Sequence, residues 1–195
     1  MNAVPCPDRD IPPPPLADVL RPLLRTNLCL VGLGNTDGGD DGAGMVLARQ
    51  LASGPWRAHS MHTVLLAGVH PDRHLHELRA ARWDTVLFVD ATDWGGPPGA
   101  LTLLDQASMH SRFPQVSTHQ LSLGLIARLL TQDLPTQVYL LGIQPQRLGA
   151  SSSLSEPVRT AVDRLALLFN TLPTPAPSPL LCDPIAPCTH ADHHR

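Results

Sequence analysis

The sequence predicts an α/β domain in three layers, a central mixed and twisted sheet with helices on both faces. Three observations carry this expectation. Short apolar runs rich in Val, Leu and Ile alternate with stretches whose apolar residues recur every three to four positions, the pattern of strands alternating with helices. The turns between them are short and marked by Gly, Pro and Asp. The chain has 195 residues, 43% hydrophobic and 16% charged, enough for one buried core with little room for a second.

Taken in order, residues 1–26 read as a Pro-rich lead-in, with six prolines before residue 19 and an unbroken run from Pro12 to Pro15. Proline fixes its own φ and has no N–H to donate, so an extended, unpacked segment is expected there. Asn27 to Leu33 is an apolar first strand, Gly34 to Gly44 a glycine-rich turn, and Met45 to Leu51 continues as helix. Thr63 to Ala67 reads as a second strand, and Pro71 opens a helix reaching Ala80. Thr85 to Val89 is the third strand. Ala100 to Leu104, entered through Pro97, Pro98 and Gly99, is a short edge strand whose direction the sequence leaves open. Gln120 to Leu130 repeats Leu121, Leu125 and Leu129 at helical spacing, Gln137 to Ile143 is a fifth strand, and Pro157 introduces a helix over Val158 to Leu168. The domain is thus expected over 27–171, and 172–195 is a tail interrupted by six prolines.

Composition excludes several classes of function. Fourteen basic against seventeen acidic residues give a formal charge of -3, with no basic stripe for a nucleic acid. No stretch approaches the length of a membrane-spanning helix, and no cationic head precedes an apolar run at the start, so a cytoplasmic protein is expected. Cys6, Cys29, Cys182 and Cys188 form no disulfide framework. Cys29 lies on an apolar strand and reads as core.

The first turn runs Gly32-Leu33-Gly34-Asn35-Thr36-Asp37-Gly38-Gly39-Asp40-Asp41-Gly42-Ala43-Gly44. Its glycines invite comparison with a phosphate cradle, but the spacing is that of neither dinucleotide nor triphosphate loops, and three aspartates would face the anion. Asp40 reads first as a helix cap. Asp41 has more to offer, because Thr85 to Val89 ends in Asp90, and in open α/β sheets ligands gather at the carboxyl ends of strands. Two carboxylates in one crevice repel each other unless a cation lies between them. His119, just before a helix, completes two oxygens and one nitrogen, a donor set suited to Ni²⁺, Zn²⁺ or Fe²⁺ with open positions. His59, His62, His70, His74 and His76 are expected to face solvent. Cys182, Cys188, His190, His193 and His194 make a looser set in the tail, fit for adventitious metal only. No Gly-x-Ser-x-Gly is present, so hydrolysis would depend on a metal or the carboxylates.

Four stretches in this order carry a family likeness: Gly32-Leu33-Gly34-Asn35 through Gly39-Asp40-Asp41-Gly42-Ala43-Gly44, Val89-Asp90-Ala91-Thr92-Asp93, Thr118-His119-Gln120-Leu121, and Leu141-Gly142-Ile143-Gln144-Pro145. Over roughly residues 27–170 the chain resembles the hydrogenase maturation endopeptidases, most of all the branch serving formate-linked and related multisubunit hydrogenases. The resemblance implies a phosphorylase/hydrolase-like fold. It implies a cut that releases a short C-terminal extension from the nickel-loaded precursor of a nickel-iron hydrogenase large subunit. It places the metal ligands on Asp41, Asp90 and His119, with Asp41 or Asp90 as candidate general base. Gly34, Asn35, Asp40, Gly42 and Asp93 would form the supporting loops, Asp93 ordering the chain beside Asp90. Nickel would arrive with the precursor rather than reside in the enzyme, and Zn²⁺ or Cd²⁺ could occupy the same site in vitro. The partner is then that precursor, with no nucleic acid or membrane, and the protein a monomer. One departure is Ala67 in Leu66-Ala67-Gly68, where the family commonly has an acidic residue. It implies altered support of the ligands or altered substrate preference. Two other readings are a small metal-dependent peptidase or amidase with its own bound metal, and a hydrogenase-assembly chaperone that does not cut.

Overall fold

The computed structural model describes residues 15–58, 61–112 and 122–171. Five strands, β1 (Leu28–Leu33), β2 (His62–Gly68), β3 (Thr85–Ala91), β4 (Leu101–Asp105) and β5 (Gln137–Ile143), form one sheet in the order β2-β1-β3-β5-β4. β2, β1, β3 and β5 run parallel, and β4 pairs antiparallel with β5 at the edge, so the sheet is mixed.

Side chains alternate across the sheet because successive residues of a strand point to opposite faces. Leu28 and Leu30 of β1, Leu87 and Val89 of β3, and Leu141 and Ile143 of β5 enter one core. Their neighbours Cys29, Val31, Val86, Phe88, Val138 and Leu140 enter the other. A strand buried on both faces reads as a continuous apolar run, which is why β1 and β3 stand out in the sequence. Helices α1 (Leu16–Leu23), α2 (Ala43–Ser53) and α6 (Glu156–Thr171) cover the first face. Helices α3 (Leu75–Ala80), α4 (Gln106–Arg112) and α5 (Leu123–Thr131) cover the second. The expected three layers are present.

Two elements differ from the sequence reading. The lead-in expected over 1–26 is not extended throughout, since Leu16–Leu23 is helical and Leu20, Leu23 and Leu24 are buried in the first core. Apolar residues at 16, 19, 20, 23 and 24 follow helical spacing, and Pro15 precedes the helix where a missing N–H costs nothing. Pro22, in the last turn, masks that pattern. Helix α4 has no apolar stripe long enough to read; Asp105 starts it by accepting from the Ser108 N–H at 2.8 Å, and Met109 is buried. Among the described residues no helix is long and apolar enough to cross a membrane.

Candidate functional site

The strand order places the reversal of chain direction between β1 and β3. From β1 the chain passes to β2 on one side, then returns over the sheet to β3 on the other. Loops leaving the carboxyl ends of such neighbours diverge and open a crevice between them. The loop after β1 carries Asp41, and Asp90 is the penultimate residue of β3, so both acids come to this edge.

Glycine makes the approach close. Gly44, in the first turn of α2, lies so near β3 that a β-carbon there would sit 2.0 Å from the Val89 carbonyl oxygen and 2.7 Å from that of Leu33. The short 3₁₀ turn Asp40–Gly42, directly ahead of α2, packs against β3. Gly34, at φ +102°, turns the chain directly out of β1, and a β-carbon there would collide with the Asp41 carbonyl at 1.7 Å. The Asp41 carboxylate folds back on this turn, where Oδ2 accepts the Asn35 N–H at 2.7 Å. Asp41 is half-buried and Asp90 buried, at 8% exposure.

Asp40 is not a helix cap. Gly39 and Gly42 occupy the cap positions, without side-chain capping bonds. Asp40 is fully buried and reaches across to the connector between β5 and α6. Its Oδ2 accepts from the N–H groups of Gln146 (2.9 Å) and Arg147 (3.1 Å) and from the Ser155 hydroxyl (2.8 Å), and its Oδ1 from the Ser155 N–H (2.6 Å). Burial alone would raise its pKa, but these donors outweigh burial and hold the carboxyl below its ordinary value. The partners of Asp40 lie more than a hundred residues away, so local sequence suggests only the commoner role of a cap.

Asp93 orders the loop after β3. Its Oδ1 accepts from the Gln144 amide at 2.9 Å and the Gly95 N–H at 3.1 Å, and these two donors hold its carboxyl below the usual value. Gln144, buried just beyond β5, also accepts the N–H groups of Trp94 (3.0 Å) and Gly96 (3.1 Å) on Oε1. Local sequence marks Gln144 only as part of the Leu141-Gly142-Ile143-Gln144-Pro145 motif and gives Ser155 no motif. The one signal for Ser155 is its place ahead of Glu156-Pro157, as the residue that begins α6 by accepting the Arg159 N–H.

His119 lies outside the described residues, as do His59, Cys6, Cys182, Cys188, His190, His193 and His194. Among the described residues no three His, Cys, Asp or Glu side chains gather to hold a metal. His62, expected in solvent, is buried: its ring stacks on Trp56 with centroids 4.7 Å apart, and Nε2 meets the Leu24 carbonyl at 3.0 Å. The carbonyl comes from Leu24, the residue that follows α1, so the ring packs at the edge of the core. His74 lies 3.3 Å from Glu77, while His70 precedes the 3₁₀ turn Pro71–His74 and is half-buried. Ala67 is buried and its methyl belongs to the second core, where a carboxylate would have to be desolvated. Cys29 is core as expected, its thiol pushed up to about 12 by burial and then by the Glu77 charge.

A cavity of about 660 Å³ lies at the opposite end of the sheet, where Gln106, Arg128, Thr131 and Tyr139 line it. It holds none of the expected donors. A smaller cleft of about 270 Å³ borders the carboxyl edge over Arg147–Ser151, and Leu148 there is 56% exposed.

Residues 47–169 match the family model described as hydrogenase maturation protease. The chain is 33% identical over 134 residues to the hydrogenase 3 maturation protease of Escherichia coli K12, covering 69% of this chain and 83% of that protein. Its fold is similar to the crystal structure of a [NiFe] hydrogenase maturation protease HycI from Thermococcus kodakarensis KOD1, with TM-score 0.68 and 28% identity over 80% of this chain and 97% of the other. The solution structure of the endopeptidase HycI from Escherichia coli matches with TM-score 0.63 and 29% identity, covering 73% and 88%.

Proposed function

The chain belongs to the hydrogenase maturation protease family, and we propose from that membership that it is the endopeptidase which removes a short C-terminal extension from the nickel-loaded precursor of a nickel-iron hydrogenase large subunit. It acts as a monomer in the cytoplasm, with no nucleic acid or membrane as partner. The observation that carries the site assignment is the convergence of the Asp41 turn and the Asp90 end of β3 on one carboxyl edge, packed together through Gly44.

The donor chemistry fits a divalent cation. Asp41 has one oxygen tied to the Asn35 N–H, while Oδ1 makes no hydrogen bond among the described residues. Asp90 comes to the same edge at the end of the central strand β3, and His119 would supply the nitrogen. Asp41, Asp90 and His119 would hold the Ni²⁺ that the bound precursor brings, which would supply polarisation of a carbonyl; Zn²⁺ or Cd²⁺ would take the same donors in vitro. The work of this chain is to present two carboxylates in fixed orientation, to bind the precursor, and to take a proton from water at Asp41 or Asp90. Exposed Leu148 and the loop Gly95-Gly96-Pro97-Pro98 border the crevice as the rim against which the folded precursor rests.

The test is intact-mass measurement on purified protein mixed with the large-subunit precursor from the same genome, nickel-loaded and nickel-free. Loss of one C-terminal peptide from the nickel-loaded form alone is expected. Cleavage of short model peptides by protein with stoichiometric bound metal would replace this reading with that of a metallopeptidase. A stable complex of unchanged mass would replace it with that of a chaperone.

A further inference from the structure

We propose that Asp40 and Gln144 are positioning residues through which one connector, Gln144 to Ser155 between β5 and α6, sets the placement of both acid-bearing loops. The inference rests on the reading of Asp41 and Asp90 as the reacting carboxylates.

Each loop hangs from that connector by a buried side chain. On the β1 side, Asp40 gathers the N–H groups of Gln146, Arg147 and Ser155 and the Ser155 hydroxyl, one residue before Asp41. Backbone bonds extend the attachment, with the Gly39 N–H donating to Ser151 at 2.8 Å and the Ser151 N–H donating to Asp37 at 3.1 Å. On the β3 side, the Gln144 amide holds Asp93 with one end and the N–H groups of Trp94 and Gly96 with the other. Register completes the frame, because Asp90 lies opposite Gly142 and Ala91 opposite Ile143 in β5, directly before Gln144. The two acids come from strands joined by a long excursion, and their loops share a single connector.

A buried carboxylate with four donors is an expensive way to tie down a loop unless its exact shape matters, since any donor left unmatched keeps its desolvation cost. Asparagine cannot replace Asp40: in either orientation its NH₂ faces at least one of the N–H donors that now converge on the carboxylate.

The experiment uses the full chain and two readouts, amide hydrogen exchange and steady-state processing of nickel-loaded precursor. Asp40→Asn should raise exchange at Asn35 and Gly39 by about tenfold or more while the strand amides stay protected. It should lower kcat by about tenfold or more and change KM by less than it changes kcat, because the misplaced carboxylate acts in the chemical step while the Leu148 and Gly95-Gly96 rim bears on binding. Gln144→Met, close in shape but unable to hold Asp93, should do the same through Trp94 and Gly96. Ser155→Thr keeps both donors and should behave as the parent chain. Ser155→Ala removes one bond of four and carries the test at smaller amplitude if Asp40→Asn fails to fold.

Exchange that rises with kcat unchanged, or exchange that does not rise, overturns the inference. Asp41→Ala and Asp90→Ala in the same assay separate the two readings. If both process normally, the site assignment fails. If both are dead while Asp40→Asn works at full rate, only the positioning role fails.

Discussion

Gly44→Ala tests in one substitution whether helix packing and site geometry are linked. The new methyl would stand 2.0 Å from the Val89 carbonyl oxygen and 2.7 Å from that of Leu33. Both are backbone atoms of central strands, so no rotamer change relieves the contact. Alanine gains about 0.5–1 kcal/mol in a helix interior over glycine, while overpacking of this severity costs about 3 kcal/mol, so the clash wins. A net loss of about 2 kcal/mol corresponds to a fall in Tm of about 4–8 °C for a domain of this size. Relief requires the start of α2 to retreat from β3 by about 1 Å, carrying with it the turn that holds Asp41; a displacement of that size costs about a hundredfold in rate. The assays are urea unfolding and precursor processing at a temperature where the variant remains folded. Leu167→Ala, on α6 at 65% exposure, is the control and should move stability by less than about 0.5 kcal/mol. An unchanged unfolding midpoint would refute the packing argument, and a destabilised variant with full activity would refute the link from packing to the site.

Two further outcomes follow from the titrating groups. With its pKa pushed up to about 12, Cys29 holds roughly one part in 10⁴ as thiolate at pH 8, so iodoacetamide should leave it unmodified in the native chain and label it after unfolding. Peptide mass mapping reads this directly, and native labelling at the rate of a free thiol would contradict its burial. The Asp93 carboxyl is held low by the Gln144 amide and the Gly95 N–H. Its contribution is therefore complete above the ordinary carboxylate value and fades as pH falls through the lower folded value, beginning below about pH 4. Exchange of the Gly95 amide, corrected for intrinsic pH dependence, should rise on that descent; in Gln144→Met the rise should begin at higher pH. Identical profiles would show that the Gln144 amide does not hold the Asp93 carboxylate.

Strands were legible in the sequence because a strand buried on both faces carries a continuous apolar run, as Leu28 to Val31 of β1 and Val86 to Val89 of β3 do. β5 and α6 were legible by the same local periodicities, and the antiparallel edge strand showed its position though not its direction. That Asp41 and Asp90 come to one edge of the sheet was legible, because chains leaving the carboxyl ends of neighbouring parallel strands meet there, and the family likeness implied a chemistry for them. Helix α1 escaped notice because Pro22 and the preceding prolines argue against helix, while burial of Leu20, Leu23 and Leu24 outweighs them only once α2 and α6 are in place.

What the sequence by itself determined, then, is whatever depends on near neighbours: strand and helix periods, the glycine-rich exit from β1, and the residue types able to hold a cation. Tertiary structure decided the tasks of Asp40, Gln144 and His62. Asp40 meets its donors across 106 to 115 residues, Gln144 meets Asp93 across 51, and His62 meets the Leu24 carbonyl across 38. A polar side chain has the same local signature whether it caps a turn, faces water or joins two loops, and its partner in the folded chain is what selects among them.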